Sequence, residues 1–138
     1  MKPVQTLALC AIAIVLPGLA IAQAAGSAAS SGVYSPAQAA RGQAKYSAVC
    51  ASCHGEDMAG VDVAPALTGG TFAGNWKGQT AGDLATRIRT TMPLDNPGSL
   101  GAAASADLAA FILSRNGYPA GQVELPRDAT LLQQVKID

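Results

Sequence analysis

Residues 50–54 read CASCH, which places two cysteines and the chain's only histidine within five positions. Three kinds of chemistry use that set. Two thiols separated by two residues form a redox disulfide. Thiols and imidazole bind zinc, which in a structural site takes four protein ligands. Cys-x-x-Cys-His is also the signature of covalent haem attachment. The choice among them turns on how many cysteines the working protein keeps.

The start of the chain bears on that count. Met1-Lys2 precede an apolar run from Val4 to Leu16, which is broken by Pro17-Gly18 and followed by the small residues of LAIAQAAGSAAS. A positive end, a short apolar stretch and an Ala-x-Ala site describe an export signal. Ala20-Ile21-Ala22 is the best cleavage site, so residues 1–22 are expected to be removed and the protein to reach the periplasm. The run is too short for a membrane span, which takes roughly 20 apolar residues, and no transmembrane span is expected after cleavage. Processing takes Met1, Lys2 and Cys10 with it. Eight basic residues then face nine acidic ones without forming a stripe, so nucleic acid is not an expected partner.

Cys50 and Cys53 are the cysteines that remain, in a compartment where thiols are usually paired or occupied. A thioredoxin-like disulfide belongs in a strand–helix–strand setting, and nothing of the kind is legible around CASCH. Zinc lacks a second pair of Cys or His after processing. Haem attachment needs nothing further. Cys50 and Cys53 stand at i, i+3 and point the same way, toward the vinyl groups on one porphyrin edge, and His54 follows to meet the iron. The sixth ligand follows by elimination. No second histidine exists, Met1 is lost, and Met58 lies too close to His54 to cross to the opposite face. Met92 remains, at a helix end beside Pro93. Its alternative role is core filler, a common use of methionine. A Met/His pair is the usual electron-transfer arrangement.

These residues need elements to hold them. Residues 23–34 are mostly Ala, Gly and Ser and are expected to form a flexible leader. Ser35 as cap and Pro36 at the first position start a helix, along which Gly42, Tyr46, Cys50 and Cys53 share a face. Gly, Pro, Asp and Asn crowd residues 55–79, which implies a long loop. Thr80 with Asp83 resembles a capping box. It opens a helix with Leu84, Ile88 and Thr91 on one side, ended at Met92-Pro93. A loop over residues 93–104 leads to a third helix, capped by Ser105, striped by Leu108, Phe111 and Ile112, and closed by Asn116-Gly117. Residues 120–138 form a tail packed on the domain, with a short helix between Asp128 and Val135. No strand is expected. Three helices, long loops and many alanines make a thin core for residues 35–119, which favours a large apolar cofactor at its centre.

GQAKYSAVCASCHG, APAL and RTTMP together resemble the class I c-type cytochromes, from about Ala37 to Pro119. The resemblance implies an all-α cytochrome c fold, with three main helices and long loops wrapped around one covalent haem c. It implies that Gly42 and Tyr46 on the first helix pack against Phe111 on the last. It also implies that the Pro65 carbonyl accepts the second N–H of His54, where the alternative is an ordinary loop proline. Trp76 matches a place that contacts a haem propionate, against a loop-packing aromatic. Arg87 and Arg89 are candidates to pair a propionate, against solvated helix-surface arginines. The segments MPLDNPGSL and NGYPAGQVELPRD resemble the small cytochromes associated with quinoprotein dehydrogenases.

The function expected is single-electron transfer between redox proteins by a carrier that is not itself an enzyme. The partners so implied include a quinoprotein dehydrogenase and a terminal oxidase or another cytochrome. Two alternatives stand beside it. One is a ligand-binding or sensing haem, which requires Met92 to leave the iron. The other is a cytochrome subunit that mainly organises a dehydrogenase complex. Carbon monoxide binding separates the first from the carrier, and co-elution with a dehydrogenase decides the second.

Overall fold

The computed structural model describes residues 26–62 and 64–138; the expected signal segment and Val63 fall outside the described residues. In chain order the elements are β1 (Ser27–Ala28), a 3-10 turn (Ala29–Ser31), α1 (Pro36–Val49), α2 (Ala51–His54) and α3 (Gly69–Trp76). They continue with α4 (Ala81–Thr91), α5 (Ala102–Arg115), α6 (Ala129–Leu132) and β2 (Val135–Lys136). The fold is all-α. Among the described residues, no helix is long and apolar enough to cross a membrane.

The frame is the α1–α5 pair, with α4 packed on the other side of α5. The Ser35 hydroxyl caps α1 by accepting from the Gln38 N–H at 3.0 Å, and Pro36 occupies its first turn. Gly42 lies where the two helices cross. A Cβ there would run into the Asp107 carbonyl and come within 2.8 Å of the Phe111 Cβ. One turn on, the Tyr46 and Phe111 rings meet at 5.5 Å and 58°, a tilted contact that aromatic quadrupoles favour. Arg41 closes the outer edge of the seam, bridging Asp107 of α5 and Glu124 of the tail at 2.9 Å each.

The capping box of α4 is formed. The Thr80 hydroxyl accepts from the Asp83 N–H at 3.0 Å, and the Asp83 carboxylate accepts from the Thr80 N–H at 2.9 Å. Leu84, Ala85 and Ile88 are its buried face. Met92 ends the helix in an extended conformation, φ −118° and ψ 152°, as a residue before proline should.

Several elements differ from the expectations. Residues 55–79 are not one loop, because α3 occupies Gly69–Trp76. Three glycines in GGTFAGNW hide it from a propensity argument. Burial of Phe72 and packing of Trp76 on the core supply what propensity does not. The last long helix starts at Ala102, with Gly101 before it, rather than at a Ser105 cap. Ser105 is buried instead, its hydroxyl donating back to the Gly101 carbonyl at 3.1 Å. The tail helix covers only Ala129–Leu132, capped by Asp128.

The segment read from composition as a leader is packed from residue 26 onward. Ala29, Val33 and Tyr34 are buried. Ser27 and Ala28 pair in parallel with Val135 and Lys136, the short strands the sequence did not signal. Ser30 bonds to the Asp138 carboxylate through its N–H and its hydroxyl. The Tyr34 hydroxyl donates to the Tyr118 carbonyl at 2.5 Å. From the tail, Leu125, Leu132, Val135 and Ile137 join the core.

Candidate haem-binding site

CASCH spans a break between helices. Cys50 ends α1 with φ −120° and ψ −35°, so the two thiols do not share one continuous helix. The single turn of α2 restores the relation, because the Cys53 and His54 N–H groups both donate to the Cys50 carbonyl, at 3.1 and 2.9 Å. Both thiols are free, Cys50 half-buried and Cys53 exposed. Burial, with the Cys53 thiol as a second cause, pushes the Cys50 thiol up to about 11. A redox Cys-x-x-Cys pair works through a lowered thiol pKa, so the environment of Cys50 argues against that chemistry.

His54 is buried, and its Nδ1 lies 2.9 Å from the Pro65 carbonyl oxygen. A carbonyl has no proton to give, so Nδ1 carries the hydrogen. That leaves Nε2 with its lone pair, the form a metal-binding histidine takes. The partner expected for His54 is therefore in place.

The loop between the two is short of regular structure. Gly55, Met58 and Gly60 all have positive φ, at 81°, 64° and 79°. The Gly60 N–H donates to the His54 carbonyl at 2.9 Å, and the Leu67 N–H to the Met58 carbonyl at 2.9 Å. The side chain of Met58 is fully buried in the core cluster, which commits it to packing. Met92, by contrast, is half-buried where α4 stops. α5 packs on both α1, which leads into the CASCH turn, and α4, which ends at Met92.

The remaining candidates divide. Trp76 is the last residue of α3, half-buried against the core. Arg87 and Arg89 are exposed on α4, and among the described residues neither is in an ion pair. The structure does not draw either toward CASCH. Two polar side chains at the site were not singled out as such. Tyr46 donates its hydroxyl to the Gly55 carbonyl at 2.6 Å. Asn116 donates its amide to the Leu67 carbonyl at 2.9 Å, and its Oδ1 accepts from the Gly69 N–H at 3.1 Å. Tyr46 reads as a core aromatic and Asn116 as a helix end. No local pattern announces a bond to a loop carbonyl.

Two free thiols flanking a turn, and a buried imidazole whose second nitrogen is spoken for, suit covalent haem c. Among the described residues, no group of three or more His, Cys, Asp and Glu could hold a bare metal ion. A family model described as cytochrome c oxidase, cbb3-type, subunit III, matches residues 37–112, more than half of the chain. The chain belongs to this family of c-type cytochromes. It is a monohaem class I cytochrome c with covalently bound haem c, an electron-carrying protein. The fold of the cytochrome is also similar to a chain of the sulfane dehydrogenase SoxCD from Paracoccus pantotrophus. The two share 24% identity over 72% of this chain, with a TM-score of 0.58. The match spans only 52% of the SoxCD chain, so the cytochrome corresponds to about half of it. No curated protein matches the cytochrome.

Proposed function

We propose that the protein is a periplasmic carrier of single electrons, its haem held by Cys50 and Cys53 and its iron ligated by His54 and Met92. The observation that carries this reading is the His54–Pro65 hydrogen bond, which presents Nε2 as the ligand atom from a turn flanked by two free thiols. When bound, the haem supplies a one-electron couple whose potential follows from its ligands, burial and hydrogen bonds. The chain's own part is to attach, orient and shield. Cys50 and Cys53 tether the group, the Pro65 carbonyl orients the imidazole, and α5 backs the site with Leu108, Phe111 and Ile112. Trp76 is proposed to face a propionate, and Arg87 and Arg89 remain candidates to pair one.

The partner reading rests on less. The resemblance of the 92–100 loop and the tail to quinoprotein-associated cytochromes favours a dehydrogenase as electron donor. The likeness in fold to a chain of a sulfane dehydrogenase is compatible with that. Leu94 is 69% exposed, two residues from Met92, and the 92–105 stretch carries one charge, Asp95. Docking is proposed through this apolar loop.

The deciding experiment is the spectrum of the ferrous holoprotein with and without carbon monoxide, for the native chain and for Met92→Ala. The native protein should remain six-coordinate and bind little carbon monoxide, while Met92→Ala should bind it readily and show a lowered potential. Ready binding by the native protein would favour the sensing alternative. An unchanged spectrum in Met92→Ala would remove Met92 as ligand.

A further inference from the structure

We infer that Tyr46 and Asn116 are positioning residues for the His54–Pro65 hydrogen bond, and through it set the reduction potential without touching the haem. The inference rests on the proposed ligation by His54. That hydrogen bond closes a span of eleven residues. The backbone between has two glycines, one methionine and one aspartate at positive φ. Backbone of that kind keeps its shape only where its surroundings over-determine it.

The surroundings do so at both ends of the bond. On the histidine side, the Tyr46 hydroxyl donates to Gly55, the residue after His54, at 2.6 Å. Tyr46 is 2% exposed and its ring is held against Phe111, so the hydroxyl has little freedom. Burial pushes its pKa up to about 12, and it stays a donor at working pH. On the proline side, Asn116 grips Leu67, two residues beyond Pro65, and Gly69, two further on. Its amide also donates to the Ile112 carbonyl at 2.8 Å, which locks the side chain to the end of α5. Tyr46 stands on α1 and Asn116 at the end of α5, so both grips are rooted in the rigid helix pair. The distance between the imidazole and its acceptor is thereby tied to that pair rather than left to the loop.

The consequence follows from ligand chemistry. A hydrogen bond from Nδ1–H to a carbonyl raises the basicity of the other nitrogen. A more basic ligand favours the ferric form and lowers the potential. Loosening either grip should weaken the bond and raise the potential.

The test uses the holoprotein. Tyr46→Phe keeps the ring and removes the hydroxyl. Its equilibrium constant for one-electron reduction should rise about threefold, or about 28 mV at 59 mV per tenfold. Asn116→Ala should shift the potential in the same direction, and the double variant should shift it by less than the sum, because both act on one bond. Arg41→Ala is the control. It removes exposed ion pairs at the outer edge of the α1–α5 pair and leaves the Gly42–Phe111 seam in place, so it should lower stability slightly and leave the potential unchanged. The inference is overturned if Tyr46→Phe moves the potential no further than Arg41→Ala, whatever it does to stability. Tyr46→Phe alone decides if Asn116→Ala does not accumulate. The native protein's low-spin spectrum tests His54 ligation separately, so a failure of the grips cannot be mistaken for a failure of the ligand assignment.

Discussion

Gly42 shows how much a single position can carry. It has no side chain because the Asp107 carbonyl of α5 occupies the space a Cβ would need. Gly42→Ala should push the two helices apart or strain one of them, an overpacking cost of about 1–3 kcal/mol. Chemical denaturation of the holoprotein checks this, and a loss under about 0.5 kcal/mol would mean that the crossing is looser than the geometry indicates. The Tyr46–Phe111 contact lies in the same seam, so the loss should reach the CASCH turn as well. At this scale the haem-attachment motif was legible. CASCH announces its chemistry by residue type and spacing alone, and the Pro65 acceptor follows from the family pattern. The grips of Tyr46 and Asn116 were not legible, since each ends on a carbonyl that any residue would provide.

At the scale of elements, legibility tracked the caps. α1 and α4 were readable because Ser35, Thr80 and Asp83 satisfy helix-end N–H groups with side chains and Pro36 has no N–H to leave unpaired, and that chemistry shows in the sequence. α5 begins after Gly101 with no side-chain cap, and the expected cap at Ser105 was four residues late. α3 was missed because glycine obscures a helix that tertiary burial of Phe72 makes. The α4 cap carries a pH signature. Its hydrogen bond with the Thr80 side chain, against the opposing effect of burial and helped by bonds from the Thr80 backbone and Gln133, holds the Asp83 carboxyl below the ordinary carboxylate range. A depressed folded pKa means stability that is present above the unfolded value and lost as pH falls through the folded one. Asp83→Asn should therefore be less stable at neutral pH and should flatten the loss of stability below about pH 4. Thr80→Ala should cost about 1 kcal/mol at neutral pH. Thermal melts across pH check both, and an acid limb as steep in Asp83→Asn as in the native protein would assign that limb to other carboxylates.

For the whole molecule, charge decides how partners are met. Eight basic and nine acidic residues follow the expected cleavage site, and Lys45, Lys77 and Lys136 are scattered. Steering by long-range fields needs asymmetry and weakens with salt. The rate of electron transfer with the native partner should therefore change little with ionic strength, and Leu94→Asp should slow it severalfold. A steep salt dependence, or a rate indifferent to Leu94→Asp, would place docking elsewhere. The molecule also joins segments far apart in the chain. Residues 26–34 rest on Tyr118, Gly121, Val135 and Asp138, about a hundred positions later. Residues 26–34 can therefore find their place only once the final twenty residues are present. The final twenty residues act as the latch that ties residues 26–34 to the fold.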